Sequence, residues 1–199
     1  MPARKPVRSY HHGDLKAALK KAALKLVRQK GPRGFSLNEA SRLAGVTVAA
    51  PYRHFEDKDA LLAEIICEGN AILAKEVREA ASSATDIKDQ MLEAGMAYLR
   101  FAATHSDYFS VIFNSGIDKS KYPDVQRSAR EAFSVVWGLA QKSEPTTELA
   151  HDHAVSAWAF VHGLAALRAD EALFAAAEQD QELEHFRPIL RRFLSQSNG

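Results

Sequence analysis

An all-α fold is predicted by three features of the chain. Apolar residues recur at intervals of three and four along nearly its whole length, no segment alternates with the period of two that a half-buried strand requires, and helix-start and helix-stop residues punctuate the first third. With 199 residues, 46% of them hydrophobic, the chain is long enough for one large or two small domains around a substantial core.

The first helix is expected over residues 14–30, with Leu15, Ala18, Leu19, Ala22 and Leu26 on one face and Lys16, Lys20, Lys21, Lys25 and Arg28 elsewhere. Before it, Arg4, Lys5 and Arg8 mark a flexible basic arm over 1–12, which also holds His11 and His12 and reads equally as a solubilising tail or as a phosphate or groove contact. Ser36 followed three residues later by Glu39 is a capping box that starts a second helix. Leu37, Ala40 and Leu43 or Ala44 keep helical spacing, and Gly45 supplies the left-handed residue that ends it. Val46 packs into the turn, and Thr47, a good N-cap, opens another helix whose early residues Val48, Ala49 and Ala50 are small. Two short helices joined by a three- to four-residue turn containing Gly form the unit whose second helix enters the major groove of DNA. Pro51 works against a regular second helix, because it has no N–H and pushes Ala50 away from helical angles. That helix is therefore expected to be short or kinked.

Beyond Lys58 the spacing predicts a long helix over about 59–80, a loop through Ser82 and Ser83, and helices over about 86–105 and 106–113. After a loop with Gly116 and Pro123, helices follow over about 124–142, 147–169 and 181–195, the last bent at Pro188. Residues 91–101 carry Met91, Leu92, Met96 and Leu99 on one face with Tyr98 and Phe101 elsewhere, so this helix is expected to be buried nearly all round. Residues 154–167 are also apolar over a wide arc. One face there suits the helix's own domain and another a partner subunit, and the last helix adds Phe186, Leu190 and Phe193 at helical spacing opposite Arg187, Arg191 and Arg192. Ala154, Ala157, Val161, Leu164, Phe186, Leu190 and Phe193 are the residues expected at an isologous four-helix dimer interface. Two reading helices related by a two-fold axis would bind a near-palindromic site with multiplied affinity.

The overall balance of +1 conceals a division of charge. Residues 1–62 hold 13 Lys and Arg against 5 Asp and Glu, whereas residues 63–199 hold 13 against 20. A basic region beside a reading helix is the footprint expected of phosphate binding, while the acidic remainder repels DNA.

The run AGVTVAAPYRHFEDKDALL, preceded by a basic amphipathic helix and a Ser-initiated helix, resembles the N-terminal domain of TetR/AcrR-family transcriptional regulators over about residues 13–65. Ala44-Gly45-Val46-Thr47, Tyr52, His54-Phe55 and Lys58 fall at that family's spacings; Pro51 departs from it, standing where a larger aliphatic residue often precedes the Tyr. The resemblance implies a DNA-binding domain over 13–58 and a helical ligand-binding and dimerisation domain over 59–199. It implies that Thr47, Ala49 and Ala50 meet the groove, that Tyr52, His54 and Lys58 contact phosphates, and that Ser36 approaches the backbone. Trp158, His162 and Gly163 in SAWAFVHGLAAL resemble the Trp and His-Gly signature of one regulatory-domain subgroup.

Aromatic residues gather in the second half, at Tyr98, Phe101, Tyr108, Phe109, Phe113, Phe133, Trp137, Trp158 and Phe174. They are read either as plain core or as the walls of a mostly apolar effector pocket, for which Tyr98, Phe101, Trp137 and Trp158 are the candidates. His162, on an apolar helix, is a core or interface histidine or else a polar contact to the effector. His151 and His153 stand two apart on a helix and do not converge on a metal, and no cofactor is expected. The chain has no nucleophile elbow, glycine-rich phosphate loop or zinc-type His-Glu motif, so no enzyme is expected. Its single Cys67, the absence of an apolar leader and of any apolar run long enough to span a bilayer point to the cytoplasm. The expected function is that of a homodimeric, effector-responsive transcriptional regulator, a repressor more readily than an activator. The alternatives are a DNA-binding dimer without an effector and an enzyme or carrier in which the helix-turn-helix only packs.

Overall fold

The first turns of four helices show why the chain breaks where it does. The computed structural model describes residues 12–170 and 179–196, and among them every regular element is helical. The helices are α1 (His12–Lys30), α2 (Leu37–Leu43), α3 (Lys58–Ala81), α4 (Ile87–Thr104), α5 (Ser106–Asn114), α6 (Pro123–Ser143), α7 (Thr147–Ala169) and α8 (Gln179–Gln196), with short 3₁₀ turns at Pro51–Arg53 and Lys119–Lys121. Side chains of Ser36, Asp57, Asp86 and Thr146 each accept a backbone N–H in the first turn of α2, α3, α4 and α7. Lys119 closes the far end of α5, donating from Nζ to the Ile112 carbonyl at 2.7 Å. His12 is the first residue of α1, while Arg4, Lys5, Arg8, His11 and Phe174 lie outside the described residues.

Helix α4 is the axis of the larger part, packed by α3, α5, α6, α7 and α8. Met91, Leu92, Ala94, Met96, Ala97, Tyr98, Leu99 and Phe101 are all buried, as a helix apolar on every side requires. Helix α8 runs through Pro188 and lays Leu183, Phe186, Leu190 and Leu194 on α4. Its approach is close: a Cβ at Gly95 would stand 2.4 Å from Leu190 Cδ2, so only glycine fits without moving that side chain.

This packing places most of the residues expected at a subunit interface within the protomer's own core. Ala154, Ala157 and Val161 of α7, and Phe186 and Leu190 of α8, are buried inside the protomer. An amphipathic helix has one apolar stripe, and α8 lays its own, Phe186 and Leu190 included, on α4. Leu164 and Phe193 are half-buried, the latter stacked on Phe160 with ring centroids 4.1 Å apart. The apolar side chains that α7 and α8 leave bare include Leu149, Val155, Ala159, Leu167 and Ile189.

The smaller part comprises α1, α2 and the turns that follow, held to the rest along α1. Lys16 pairs with Glu64 at 2.6 Å and Lys20 with Glu68, both on α3. At the other end Arg28 reaches Asp107 of α5, and Arg33 Nε donates to the Asn114 carbonyl at 3.2 Å.

Candidate nucleic-acid interface and effector cavity

Helix α2 is fixed at both ends by the residues that the sequence marks. Ser36 Oγ accepts the Glu39 N–H at 3.2 Å while Glu39 Oε2 accepts the Ser36 N–H at 2.9 Å, completing the capping box. Lys30 binds the other carboxylate oxygen, and this ammonium together with the Ser36 donors lowers the Glu39 carboxyl to about 2. Ser36 is exposed but its hydroxyl is engaged in the cap. At the C-terminus Gly45 adopts φ +72, letting the Val46 N–H reach the Ser41 carbonyl at 3.0 Å and the Gly45 N–H reach Arg42 at 3.1 Å, a Schellman motif.

The second helix of the pair is not a continuous α-helix. In an α-helix opening at Thr47, its carbonyl would bind the N–H of residue 51, which proline lacks. The Ala50 N–H takes that carbonyl instead at 3.0 Å, and a 3₁₀ turn over Pro51–Arg53 follows. It closes with the His54 and Phe55 N–H groups on the Pro51 carbonyl, at 2.8 and 2.9 Å. Ala50 itself stays helical (φ −64, ψ −41), so the proline changes the hydrogen bonding and not the angles of the residue before it. Pro51 and Phe55 are buried beneath the segment and pin it.

Above this anchor the turns face outward. Thr47, Val48, Ala49 and Tyr52 are exposed and Ala50 is half-buried, with Tyr52 at 55% the most open large apolar side chain described. His54 and Lys58 are half-buried. Lys58 begins α3, its Nζ lying 3.5 Å from the Arg33 carbonyl and 5.4 Å above the Phe35 ring, so the cation is held beside the reading segment. The structure thus brings Thr47, Ala49, Ala50, Tyr52, His54 and Lys58 onto one stretch of 12 residues, with Ser36 at the adjoining helix start.

A separate cavity of about 30 Å³ lies among α3, α4, α6, α7 and α8, with room for roughly two waters. Val77, Met91, Gly95, Val136, Ala157, Val161, Leu190 and Leu194 line it with Tyr98 and Trp158, and no charged side chain does. Two of the candidate wall aromatics are therefore present. Phe101 is fully buried and packs against the tilted ring of His105 (5.3 Å between centroids) instead of facing the cavity, and Trp137 sits in an open groove with Phe133 and His151. For Phe101, helical spacing cannot separate the faces of α4, where every face along residues 91–102 is covered.

His162 stands behind Tyr98, its Nδ1 2.9 Å from the tyrosine oxygen. Burial raises the Tyr98 hydroxyl and lowers the His162 imidazole, so burial favours the neutral form of both partners. Phe113 and Phe109 of α5 pack on that imidazole, at 4.4 and 5.6 Å between ring centroids.

The opposite side of α5 meets α1 and α3. Asp107, 2% exposed, lies with its Oδ2 2.6 Å from the Arg28 guanidinium while its Oδ1 accepts the Tyr108 N–H at 2.9 Å, so Arg28 is the cation that meets its charge. Tyr108 donates to Glu68 Oε1 at 2.8 Å while Lys20 holds Oε2. Burial pushes the Glu68 carboxyl up, but these two partners outweigh it and keep it below the ordinary range. Nothing in the polar residues of SDYFSVIFN announces that Asp107 is buried.

His153 is buried on α7, its Nδ1 2.8 Å from Glu144 Oε1, while His151 is exposed, so the two point apart. No helix of the described residues is long and apolar enough to cross a membrane.

Comparison with known proteins agrees with this geometry. Among curated proteins there is no match. Among solved structures, a protein of unknown function from Rhodococcus sp. RHA1 is 25% identical with a TM-score of 0.76, over 94% of this chain and 98% of its own. The fatty acid degradation regulator FadR from Bacillus halodurans shares the fold at 12% identity and a TM-score of 0.74, over 93% of this chain and 96% of its own. The transcriptional regulator FadR from Bacillus subtilis, in complex with stearoyl-CoA, does so at 10% and 0.71, over 89% and 96%. A family model described as bacterial regulatory proteins, tetR family, matches residues 19–65. A second, described as tetracyclin repressor-like, C-terminal domain, matches residues 91–193, which is more than half of the chain and includes Trp158 and His162. The chain belongs to the TetR family of bacterial transcriptional regulators.

Proposed function

We propose that the protein is a homodimeric repressor, cytoplasmic and without catalytic activity, released from a near-palindromic operator when a small, mostly apolar effector enters the cavity beside Tyr98 and Trp158. The reading head would span 13–58 with the basic arm of 1–12 in front of it, and the regulatory and dimerisation part 59–199. The observation that carries this reading is the position of α5. Phe109 and Phe113 touch the Tyr98–His162 pair behind the cavity, and Asp107 and Tyr108 of the same short helix touch the ion pairs of α1. A ligand that enlarges the cavity shifts the populations of two arrangements of the heads, by as much as it prefers one of them. The Trp and His-Gly signature supports the same assignment of the regulatory part.

The uncovered face of α7 supports the dimer. Ala159 is exposed and a Cβ at Gly163 would meet nothing within 4 Å, so a second copy can approach closely there, with Val155, Leu167 and Ile189 around it. Ala159→Arg is expected to yield a monomer by sedimentation, to leave the thermal midpoint of the protomer nearly unchanged, and to weaken operator binding by about a hundredfold or more. A dimer of unaltered affinity would refute the assignment of this face.

Among the phosphate contacts, Lys58→Ala should weaken all duplexes alike and reduce the slope of log affinity against log salt by about one unit. An unchanged slope would strike Lys58 from the contacts.

A further inference from the structure

The reading segment is unusual in what it lacks. Between Gly45 and Tyr52 it offers no arginine, lysine, asparagine or glutamine, the side chains that pair with guanine or adenine edges in the major groove. It offers methyl groups instead. Val48 is 41% exposed, a branched aliphatic side chain held open to solvent, and the Thr47 and Ala49 methyls flank it on the same outward turn. Buried Pro51 and Phe55 fix the backbone beneath, so Val48 is presented and not collapsed onto the core. The surrounding chain through residue 62 is strongly basic, which matches the charge of a duplex. In the major groove the one apolar feature of a base edge is the thymine 5-methyl group.

Resting on the reading that the protein recognises a specific operator, we propose that Val48, with the methyls of Thr47 and Ala49 beside it, determines specificity by packing against thymine methyl groups in each half-site. The positions read by this segment are thymines, and their identity is set by exclusion of water from methyl surfaces. Arg42 and Arg53, both exposed and flanking the segment, are the competing source of specificity through guanine.

The test uses the full-length protein and an operator selected from random duplexes. Each thymine of the half-site is replaced singly by uracil, which deletes the methyl group and leaves every hydrogen-bonding atom in place. Wild-type affinity is expected to fall about fourfold at one or two adjacent positions, the worth of one buried methyl. Val48→Ala is expected to bind the thymine operator more weakly and to lose the distinction between thymine and uracil at those positions. Because the uracil change leaves the protein untouched, that arm stands even where a variant folds poorly. Indifference of the wild type to uracil at every position would overturn the proposal, as would a Val48→Ala variant that keeps the full distinction. A selection that enriches no sequence would refute the operator-binding reading itself, whereas an enriched operator indifferent to uracil refutes only the thymine assignment.

Discussion

Phe101→Ala is expected to destabilise the protein by about 3–5 kcal/mol, the range for emptying a buried aromatic site. Phe101 is among the largest fully buried side chains, on a helix that five others enclose, so little around it can relax into the space. In a chain of this length the thermal midpoint should fall by roughly 2–4 °C per kcal/mol, a drop of about 6–20 °C in a heat-unfolding experiment. DNA binding and effector response should then decline together in proportion to the folded fraction. A change confined to effector response, with the midpoint within about 2 °C of wild type, would return Phe101 to the cavity wall.

Arg28→Ala should have the next largest effect. It leaves the Asp107 carboxylate, 2% exposed, without its cation, and removing one partner of a buried pair costs roughly 3–5 kcal/mol. The guanidinium itself is 65% exposed, so the expected loss is about 2–4 kcal/mol. Asp107→Asn keeps the acceptor of the Tyr108 N–H while deleting the charge, and the double variant should recover most of what Arg28→Ala loses. Urea unfolding of the four proteins in a cycle measures the coupling. Additive losses would mean that the pair contributes nothing beyond each residue alone. Because this pair joins α5 to α1, the same variants should also weaken the link between effector and operator, measured as the ratio of operator affinities with and without a bound ligand.

The helices were legible because their signals are local. The Ser36–Glu39 capping box, Gly45, and the span of the helix now placed at Thr147–Ala169 all follow from spacing and cap chemistry, and the structure keeps them. The reading segment was legible only in part. Thr47 carries an N-cap signal, but the missing N–H of Pro51 decides the hydrogen bonding four residues later and turns a helix into successive tight turns. Side-chain surroundings were not legible where they depended on which neighbour covers an apolar face. Periodicity states that α8 has an apolar stripe; it does not state that α4 of the same chain lies under it, which is why Phe186 and Leu190 are core residues. For the same reason Tyr98 and Trp158 reach the cavity while Phe101 and Trp137, equally aromatic and on neighbouring helices, do not. The buried Asp107 had no local signal at all, since an acidic residue in a first helical turn is ordinarily a solvated one.

Selection from a pool of random duplexes at moderate salt, with sequencing of what the purified protein retains, tests the central claim most directly. A dimer that reads DNA through two copies of the segment around Val48 predicts an enriched near-palindrome whose half-sites lie about one helical turn apart, or a multiple of it. Retention without any enriched sequence would contradict it, leaving the basic N-terminal region as a binder of phosphates alone.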